Sequence, residues 1–393
     1  MTLFTNRDLN RLAVHSTLHQ LAWTISSAFS AVFLLREGLS PAAIFLCFGA
    51  IIALRFAFRP AVLFSVRAIG LRSTLVIGTL LYGAQNPLLA FVHGLSFALL
   101  AYCVVAALAQ AFYWTCYHAM FATIGEASSR GRQIGWRELL IGIAGILGPA
   151  ISGVMLTVAG PWAAFGAAGA IELGAVVPLV GVVAPPIKST APLGAFAFYK
   201  RGVLLLGSDG WIYSSSAWAW SLILFQGLDA RYDAFGGVLA AAALAGAIGG
   251  LVLGRFIDMG HARRAAWVNA ATLAGALIAK AVCGSDPVAV IAVAVGTTAL
   301  GGLYVPSLMT AIYNEAKASS CPLRFHFAAE IGWDVGASLA CLVAATLCAY
   351  GVSLQAVIVL ALPMVPIQAF LLDASYAERK SEIALAGTEL PGR

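Results

Sequence analysis

The chain has 393 residues, of which 61% are hydrophobic and only 10% are charged, and its formal net charge is +6. Soluble globular proteins carry roughly a quarter charged residues, so this composition excludes a soluble globule and indicates a polytopic membrane protein. Because the positive charges lie in short stretches between apolar segments, as positive-inside bias predicts, we expect no nucleic-acid partner.

Twelve apolar segments follow one another along the chain. Each is long enough to cross the hydrocarbon core of a bilayer as a helix, which takes about 20 residues. The first is preceded by polar residues Asn6 to Arg11 and lacks a small-residue cleavage site, so we expect it to remain as a span. The predicted spans are 12–35, 41–66, 70–91, 95–124, 132–157, 161–184, 201–226, 233–257, 264–283, 286–314, 323–349 and 353–373.

The basic residues support this alternation. With the N-terminus in the cytoplasm, the cytoplasmic ends and loops contain 20 of the 23 lysines and arginines, and the other three are Arg36, Arg231 and Lys280. Such a bias is typical of cytoplasmic loops, so we predict an integral protein of a bacterial inner membrane with both termini in the cytoplasm. Arg55 is assigned to the inner end of the second span, where its side chain can extend to the interface.

The chain contains two related halves. Arg132 precedes Glu138 by six residues, and about 190 residues later Arg324 precedes Glu330 by the same interval. A repeat of this length is typical of transporters built from duplicated bundles. We predict an N-terminal six-helix bundle at 1–184, a cytoplasmic linker at 185–200 and a C-terminal six-helix bundle at 201–393, whose polar tail from 374 is expected to be mobile.

One segment of the second half carries a family resemblance. Residues 250–264, GLVLGRFIDMGHARR, resemble the glycine-aspartate-arginine loop of the major facilitator superfamily, and Arg130 to Arg132 resembles that family's arginine-glycine-arginine signal. The resemblance implies an all-α membrane protein with twelve transmembrane helices in two pseudo-symmetric six-helix bundles. It also implies a cytoplasmic latch, which we assign to Gly254, Asp258, Arg263, Arg264 and Arg132. The first-half counterpart has Ser65 or Val66 where the acid belongs, so a weaker latch is expected there.

The fifth predicted span bears on the direction of transport. Gly135, Ala144, Gly148-Pro149, Ser152 and Gly153 are similar to the glycine-proline motif of proton-coupled drug exporters, with alanine and serine replacing two glycines. This similarity favours the drug/metabolite:proton antiporter branch and therefore export. A tight helix contact without any bearing on direction explains the same small residues.

The resemblance implies that the first, fourth, seventh and tenth spans line a central cavity. His15, His19 and Trp23 recur every four residues and therefore share one helix face. Aromatic side chains with few fixed charges suit an amphipathic or ring-containing organic solute. We predict as substrate-cavity residues His15, His19, Trp23, Tyr113, Trp114, Tyr117, His118, Trp211 and Tyr213.

Acidic residues within spans are candidates for proton coupling. Glu330 and Asp334 are one turn apart, and two carboxylates this close in a low dielectric do not both ionise easily. The alternative for Glu330 is a structural pairing with Arg324, His326 or another helix. Glu138 is a further candidate, because an ionisable side chain within a span costs about 2.5–3.5 kcal/mol on insertion scales.

A histidine and an acid complete the predicted coupling set. Asp209 in the seventh span and His19 in the first lie at similar depths, so we predict that they form a proton-handling pair. The alternative is that the histidines bond neighbouring backbone groups. Glu172 ranks lower, because the sixth span is peripheral in the fold that the resemblance implies.

These patterns predict a proton-coupled secondary transporter that moves a small organic solute by alternating access, with export favoured. The partners expected are a small-molecule substrate, protons and the lipid bilayer, and the chain is expected to be a monomer. One alternative is an importer or uniporter of a sugar, organic acid or siderophore, and another is a non-transporting sensor or lipid-handling protein. The seven cysteines have no paired spacing, and no enzyme motif occurs, so we expect no metal, cofactor or enzymatic activity.

Overall fold

The structure is a computed structural model that describes residues 6–124, 130–184, 195–258, 262–319 and 321–388. Within these ranges the side chains at 122, 130–138, 195–198, 251–258, 262, 303 and 378–388 are not described. The helices are α1 (Arg7–Arg36), α2 (Pro41–Ile69), α3 (Leu71–Leu89), α4 (Phe97–Ile124), α5 (Arg130–Val158), α6 (Gly160–Gly174), α7 (Val176–Leu179), α8 (Ala195–Gly227), α9 (Tyr232–Asp258), α10 (Ala262–Ala281), α11 (Pro287–Leu300), α12 (Tyr304–Ala318), α13 (Pro322–Ala349), α14 (Leu354–Val359) and α15 (Met364–Thr388).

The helices form the twelve predicted spans. Three spans are interrupted: α6 and α7 form the sixth, α11 and α12 form the tenth with a 3-10 turn at Gly301–Leu303, and α14 and α15 form the twelfth. Within the described parts of the chain, nine helical stretches are long and apolar enough to cross a membrane. The predicted fold class is confirmed, and the span boundaries agree with the helices to within a few residues at most ends.

Two stretches depart from their predicted bounds. Helix α8 begins at Ala195, so the last six residues assigned to the linker at 185–200 are helical. Residues 185–194 of that linker lie outside the described residues. Near the C-terminus, α15 continues to Thr388, so most of the tail that was expected to be mobile from 374 is helical.

Local sequence signals set several helix ends. Asn6 caps α1, where its side-chain oxygen accepts hydrogen bonds from the backbone N–H groups of Asp8 (3.0 Å) and Leu9 (3.3 Å). Ser40 caps α2 in the same manner, and Pro41 at the first helical position has the backbone angle that a helix requires. Gly70, with φ +86°, separates α2 from α3, because a side chain there would be strained.

Alternating spans define two faces of the bundle. The start of α1 and the end of α15 lie at one face, which we call the terminal face, and the loops 37–40, 90–96, 228–231 and 282–286 lie at the opposite face. Helices α1–α7 form the N-terminal half and α8–α15 the C-terminal half. The halves contact each other mainly through α2 with α13, α5 with α9 and α4 with α13.

The halves meet closely near the opposite face. A Cβ atom added to Gly153 of α5 would lie 2.6 Å from the carbonyl oxygen of Tyr232 and 3.1 Å from the Cα of Gly236 in α9. Arg36 at the end of α1 donates a hydrogen bond of 2.9 Å to the carbonyl of Ala230. Glycines therefore allow backbone contact between the halves at this level.

Within the C-terminal half, glycines bring α8 and α13 into backbone contact. A Cβ atom added to Gly336 would overlap the backbone carbonyl of Gly207, and one added to Gly332 would overlap that of Val203. Rigid backbone carbonyls cannot move aside as a flexible side chain can. The crossing of these two helices thus depends on glycine at both positions of α13.

Replacing Gly336 by alanine is expected to lower the free energy of unfolding by about 1–3 kcal/mol, the usual cost of overpacking a tight contact. The control is Gly275→Ala in α10, where an added Cβ has no neighbour within 4 Å and alanine favours the helix. The midpoint of thermal unfolding of the purified protein measures both. Equal midpoints for Gly336→Ala and Gly275→Ala would contradict the close crossing.

Candidate functional site

A cavity of about 350 Å³ lies between the two halves. Its walls come from α1, α2, α3, α4, α8, α12 and α13. Most of the lining area is aromatic or aliphatic, as is usual for sites that bind small organic molecules. The aromatic residues that line it are Trp23, Phe48, Tyr82, Tyr102, Trp114, Tyr213, Trp218 and Trp333.

A buried cluster of ion pairs lies at one side of the cavity and joins the two halves. Arg55 and Arg59 of α2 both pair with Asp334 of α13, with the Arg55 Nε to Oδ1 distance at 2.5 Å and the Arg59 Nη2 to Oδ1 distance at 3.0 Å. Arg59 also donates to Oε2 of Glu330 at 3.1 Å. Its remaining amino group bonds the hydroxyl of Thr115 in α4 at 2.8 Å.

The cluster is electrically balanced. It contains two arginines and two carboxylates, and Arg59 and Asp334 are both completely buried. Removing four charges from water is costly, and the mutual attraction of the ions offsets that cost only when every charge has a partner. The balanced cluster is therefore a stable connection between α2 and α13, but loss of any one charge would leave another without compensation.

This arrangement corrects one expectation. Arg55 does not extend to the membrane interface, because it is 3% exposed and pairs with Asp334. Glu330 pairs with an arginine of another helix, as the structural alternative predicted, and Asp334 pairs with both arginines. The missed signal is a spacing: the arginines are four residues apart in the second span, as the acids are in the eleventh, so each pair shares a helix face.

A histidine of the N-terminal half lies beside this cluster. His118 of α4 is hydrogen-bonded through Nδ1 to the hydroxyl of Tyr313 in α12 at 2.8 Å, and its Nε2 is 3.7 Å from Oε1 of Glu330. His326 of α13 stacks against it with ring centroids 5.4 Å apart. His118, His326 and Glu330 also line the cavity, so titratable groups connect the cavity wall with the ion pairs.

Asp209 of α8 is a second acid on the cavity wall, with different partners. The hydroxyl of Tyr304 donates to its Oδ1 at 2.6 Å, and the indole N–H of Trp333 donates to its Oδ2 at 3.0 Å. Trp333 also lies under Arg55, whose Cζ is 4.4 Å from the ring centroid. One indole thus contacts both the cavity acid and the ion-pair cluster.

With this geometry in place, the comparisons with known proteins decide the family. The sequence profile of the Major Facilitator Superfamily matches residues 12–340. The chain belongs to the major facilitator superfamily. Its members are transporters, so the cavity between the halves is that of a small-molecule transporter embedded in a lipid bilayer. No curated protein sequence matches the chain significantly.

Solved structures of this superfamily share the fold at low sequence identity. The E. coli fucose:proton symporter superposes with a TM-score of 0.64 at 11% identity, covering 93% of this chain and 98% of that one. A human organic anion transporter gives 0.68 at 15% identity, covering 93% and 99%. A nucleoside transporter gives 0.63 at 13% identity, covering 94% and 99%. At these identities the likeness concerns the fold alone.

The transporter's cavity contains part of the predicted substrate set. Four of the nine predicted residues line it, namely Trp23, Trp114, His118 and Tyr213. Trp218 also lines the cavity and stacks on Phe48 across the halves, with ring centroids 4.3 Å apart. The structure thus brings four of the nine predicted residues to the cavity wall, together with aromatic residues that spacing alone did not identify.

The other predicted cavity residues lie elsewhere. His15 and His19 pack against Tyr113, with ring centroids 5.6 and 3.8 Å apart, and Tyr117 stacks on Tyr113 at 5.6 Å. These four side chains are buried inside the N-terminal half of the transporter rather than on its cavity wall. Trp211 faces away from the cavity and donates its indole N–H to the carbonyl of Leu360 at 2.7 Å.

The predicted pair of His19 with Asp209 does not form. Nδ1 of His19 is 2.8 Å from Oε1 of Glu172 in α6, within the N-terminal half. Nδ1 of His15 is 2.8 Å from the backbone carbonyl of Ala175, as the backbone alternative predicted. Glu172 lies on a peripheral helix, but its carboxylate is directed into the interior of its own half.

The predicted latch is described only in part. Arg263 forms two hydrogen bonds, of 2.8 and 2.7 Å, with the carboxylate of Asp373 in α15. Arg264 is exposed. Four other predicted residues, Gly254, Asp258, Arg132 and Glu138, lie outside the described side chains, so their roles in latching or coupling stay predictions.

Proposed function

We propose that this transporter is a proton-coupled secondary transporter of a small organic solute, that it works by alternating access, and that it exports the solute. The observation that carries the proposal is the buried ion-pair cluster of Arg55, Arg59, Glu330 and Asp334. It joins the two halves, and one of its acids lines the solute cavity. A cavity and a charge-dependent connection between moving halves are the two components that coupling requires.

Glu330 is the coupling residue in this proposal. Its side chain is about 10% exposed, whereas that of Asp334 is fully buried. A proton that enters through the cavity therefore reaches Glu330 first. Protonation removes the attraction between Glu330 and Arg59, while Asp334 keeps both arginines. The connection between α2 and α13 is then weaker by one ion pair, which favours separation of the halves on that side.

His118 is placed to exchange that proton. Its Nε2 is 3.7 Å from Glu330, and its Nδ1 is fixed by Tyr313 of the other half. Histidine changes charge near neutral pH, so it suits transfer between the cavity and a nearby acid. We retain His118 as a cavity residue and add this proton-transfer role.

The direction of transport rests on α5. Gly148 packs against Thr24 of α1, Ser152 donates a hydrogen bond of 2.6 Å to the carbonyl of Ile25, and Gly153 meets α9. Gly148, Ser152 and Gly153 of the exporter-like motif therefore have packing roles at the contacts of α5. The similarity of this motif to that of proton-coupled drug exporters supports assignment to the drug/metabolite:proton antiporter branch, and we propose that both termini face the cytoplasm of a bacterial inner membrane.

Glu330→Gln is expected to uncouple solute movement from protons while leaving the cavity intact. The purified protein is reconstituted into liposomes that contain a pH-sensitive dye, and a mixed panel of metabolites and drugs is screened for solutes that move protons. In the wild type a transported solute should change the internal pH and respond to an imposed pH gradient. In Glu330→Gln the same solute should still equilibrate, but the gradient should no longer concentrate it.

The matched control is Glu172→Gln, which neutralises a buried acid bonded to His19 away from the cavity. It should retain gradient-driven transport. Solute movement in the wild type without any proton flux would favour the uniporter or importer alternative. Failure of every solute to move would favour a non-transporting sensor or lipid-handling protein. Proton flux that persists in Glu330→Gln would exclude Glu330 as the coupling residue.

A further inference from the structure

Asp209 differs from the other acids of the cavity in having no compensating charge. The cavity is lined by three formally charged side chains: Arg55, Asp209 and Glu330. Arg55 and Glu330 belong to the balanced ion-pair cluster. Among the described side chains, no lysine, arginine or histidine lies within ion-pair distance of Asp209, whose hydrogen bonds come from Tyr304 and Trp333.

The hydrogen bonds around Asp209 offset part of the cost of burying its charge. Gln368 of α15 donates from Nε2 to the hydroxyl oxygen of Tyr304 at 3.1 Å, which directs the Tyr304 hydrogen towards Asp209. The indole N–H of Trp333 is a donor only, so both carboxylate oxygens accept hydrogen bonds. Donors directed at both oxygens stabilise the charged carboxylate.

Asp209 also remains accessible from the cavity. It is partly exposed, in contrast to the fully buried Asp334. In its ionised form, a carboxylate that is held in place by neutral donors and open to a cavity of low dielectric attracts a cation strongly. A bound cation with one positive charge would bring the net charge of the cavity, summed over Arg55, Asp209, Glu330 and the cation, to zero.

The neighbouring side chains indicate what carries that charge. Tyr213 lies one turn beyond Asp209 on α8, and Trp23, Trp114 and Trp218 complete an aromatic wall of the same cavity. Aromatic faces stabilise organic cations and stack on rings, whereas a small inorganic cation would need several more oxygen ligands. The site therefore combines one anionic group with surfaces for a ring.

We propose that the cavity binds an aromatic organic cation whose ammonium group pairs with Asp209. This inference rests on the proposed function, since it names the solute class for the same cavity. It assigns Asp209 to the solute instead of to the proton role expected from sequence, and leaves proton coupling to Glu330.

Three probes with one ring system test the proposal by isothermal titration calorimetry on the purified full-length protein: 2-(1-naphthyl)ethylamine, 2-(1-naphthyl)ethanol and 3-(1-naphthyl)propionate. The amine, which is a cation at pH 7, should bind about tenfold to a hundredfold more tightly than the alcohol, as expected for a hydrogen bond to a charged group. The carboxylate should bind more weakly than either.

Asp209→Asn should reduce amine affinity to that of the alcohol and leave alcohol affinity unchanged. The control is Asp286→Asn at the start of α11, where asparagine caps the helix as well as aspartate and the cavity is distant. If Asp209→Asn does not fold, the order of the three probe affinities in the wild type still tests the proposal. A wild type that binds the alcohol or the carboxylate as tightly as the amine would overturn the proposal.

These binding measurements need no proton gradient, so the inference and the proposed coupling can fail separately. Amine preference without proton flux would retain the solute class and reject coupling through Glu330. Proton flux with a preferred anion or neutral solute would retain coupling and reject the role of Asp209.

Discussion

Arg59→Gln is expected to lower the free energy of unfolding by about 3–5 kcal/mol and to abolish gradient-driven transport. The change removes one partner of a buried ion cluster, leaves Glu330 without an arginine, and forces Asp334 to depend on Arg55 alone. An uncompensated charge in the membrane interior is the most costly defect that a single substitution can create here. The midpoint of thermal unfolding and the gradient-driven uptake assay measure the two effects.

The double variant Arg59→Gln/Glu330→Gln separates charge balance from function. It leaves one arginine and one carboxylate, Arg55 and Asp334, and should therefore regain most of the lost stability. Gradient-driven transport should stay absent, because the proton-binding acid is gone. Arg67→Gln is the control, since Arg67 is an exposed arginine of the same helix. A double variant as unstable as Arg59→Gln alone would contradict the charge-balance argument.

Gly153→Val is expected to slow transport by a different mechanism, with little effect on either half alone. The added side chain would meet the backbone of Tyr232 and Gly236, so α5 and α9 could no longer close together near the opposite face. A cost of about 1–3 kcal/mol in that closed state would depopulate it about 5- to 150-fold. Transport requires both states in each cycle, so its rate should fall by a similar factor.

Paired spin labels at Leu95→Cys and Ser285→Cys report this change, because both positions are exposed on opposite-face loops of different halves. Their distance distribution should shift to longer values in Gly153→Val. Gly145→Val in the same helix is the control, since an added Cβ there has no neighbour within 4 Å. An unchanged distribution in Gly153→Val would show that this contact does not limit closure.

The fold was predictable because its main determinants are local. Span length, loop charge and caps such as Asn6 depend on neighbouring residues, and each sets a helix or its end without long-range information. The exceptions are also local. Ala195–Lys200 and the residues after Asp373 continue adjoining helices, although their composition suggested a linker and a tail.

The site was harder to predict because its partners are distant in sequence. Arg59 and Asp334 are 275 residues apart, and His19 and Glu172 are 153 residues apart. Position along a helix does not show which way a side chain faces. His19 and Asp209 were predicted to pair because their positions along their spans are similar, yet they bond to different partners in different halves.

Matched spacing would have reduced this error. Arg55 and Arg59 repeat the four-residue interval of Glu330 and Asp334, in spans that adjoin across the two halves. Opposite charges at the same interval on two helices can pair twice, which is more specific than a single charge match. Counting both arginines as loop residues removed that signal.

Trp333 has a further thermodynamic consequence. Its indole edge donates to Asp209 at 3.0 Å while its face lies 4.4 Å from the guanidinium carbon of Arg55. A displacement of this ring by an occupant of the cavity alters the surroundings of the arginine as well. By thermodynamic linkage, the factor by which a bound solute changes the stability of the Arg55 ion pair equals the factor by which that ion pair changes the affinity for the solute. Occupancy of the cavity and the connection between the halves are thus reciprocal through one side chain.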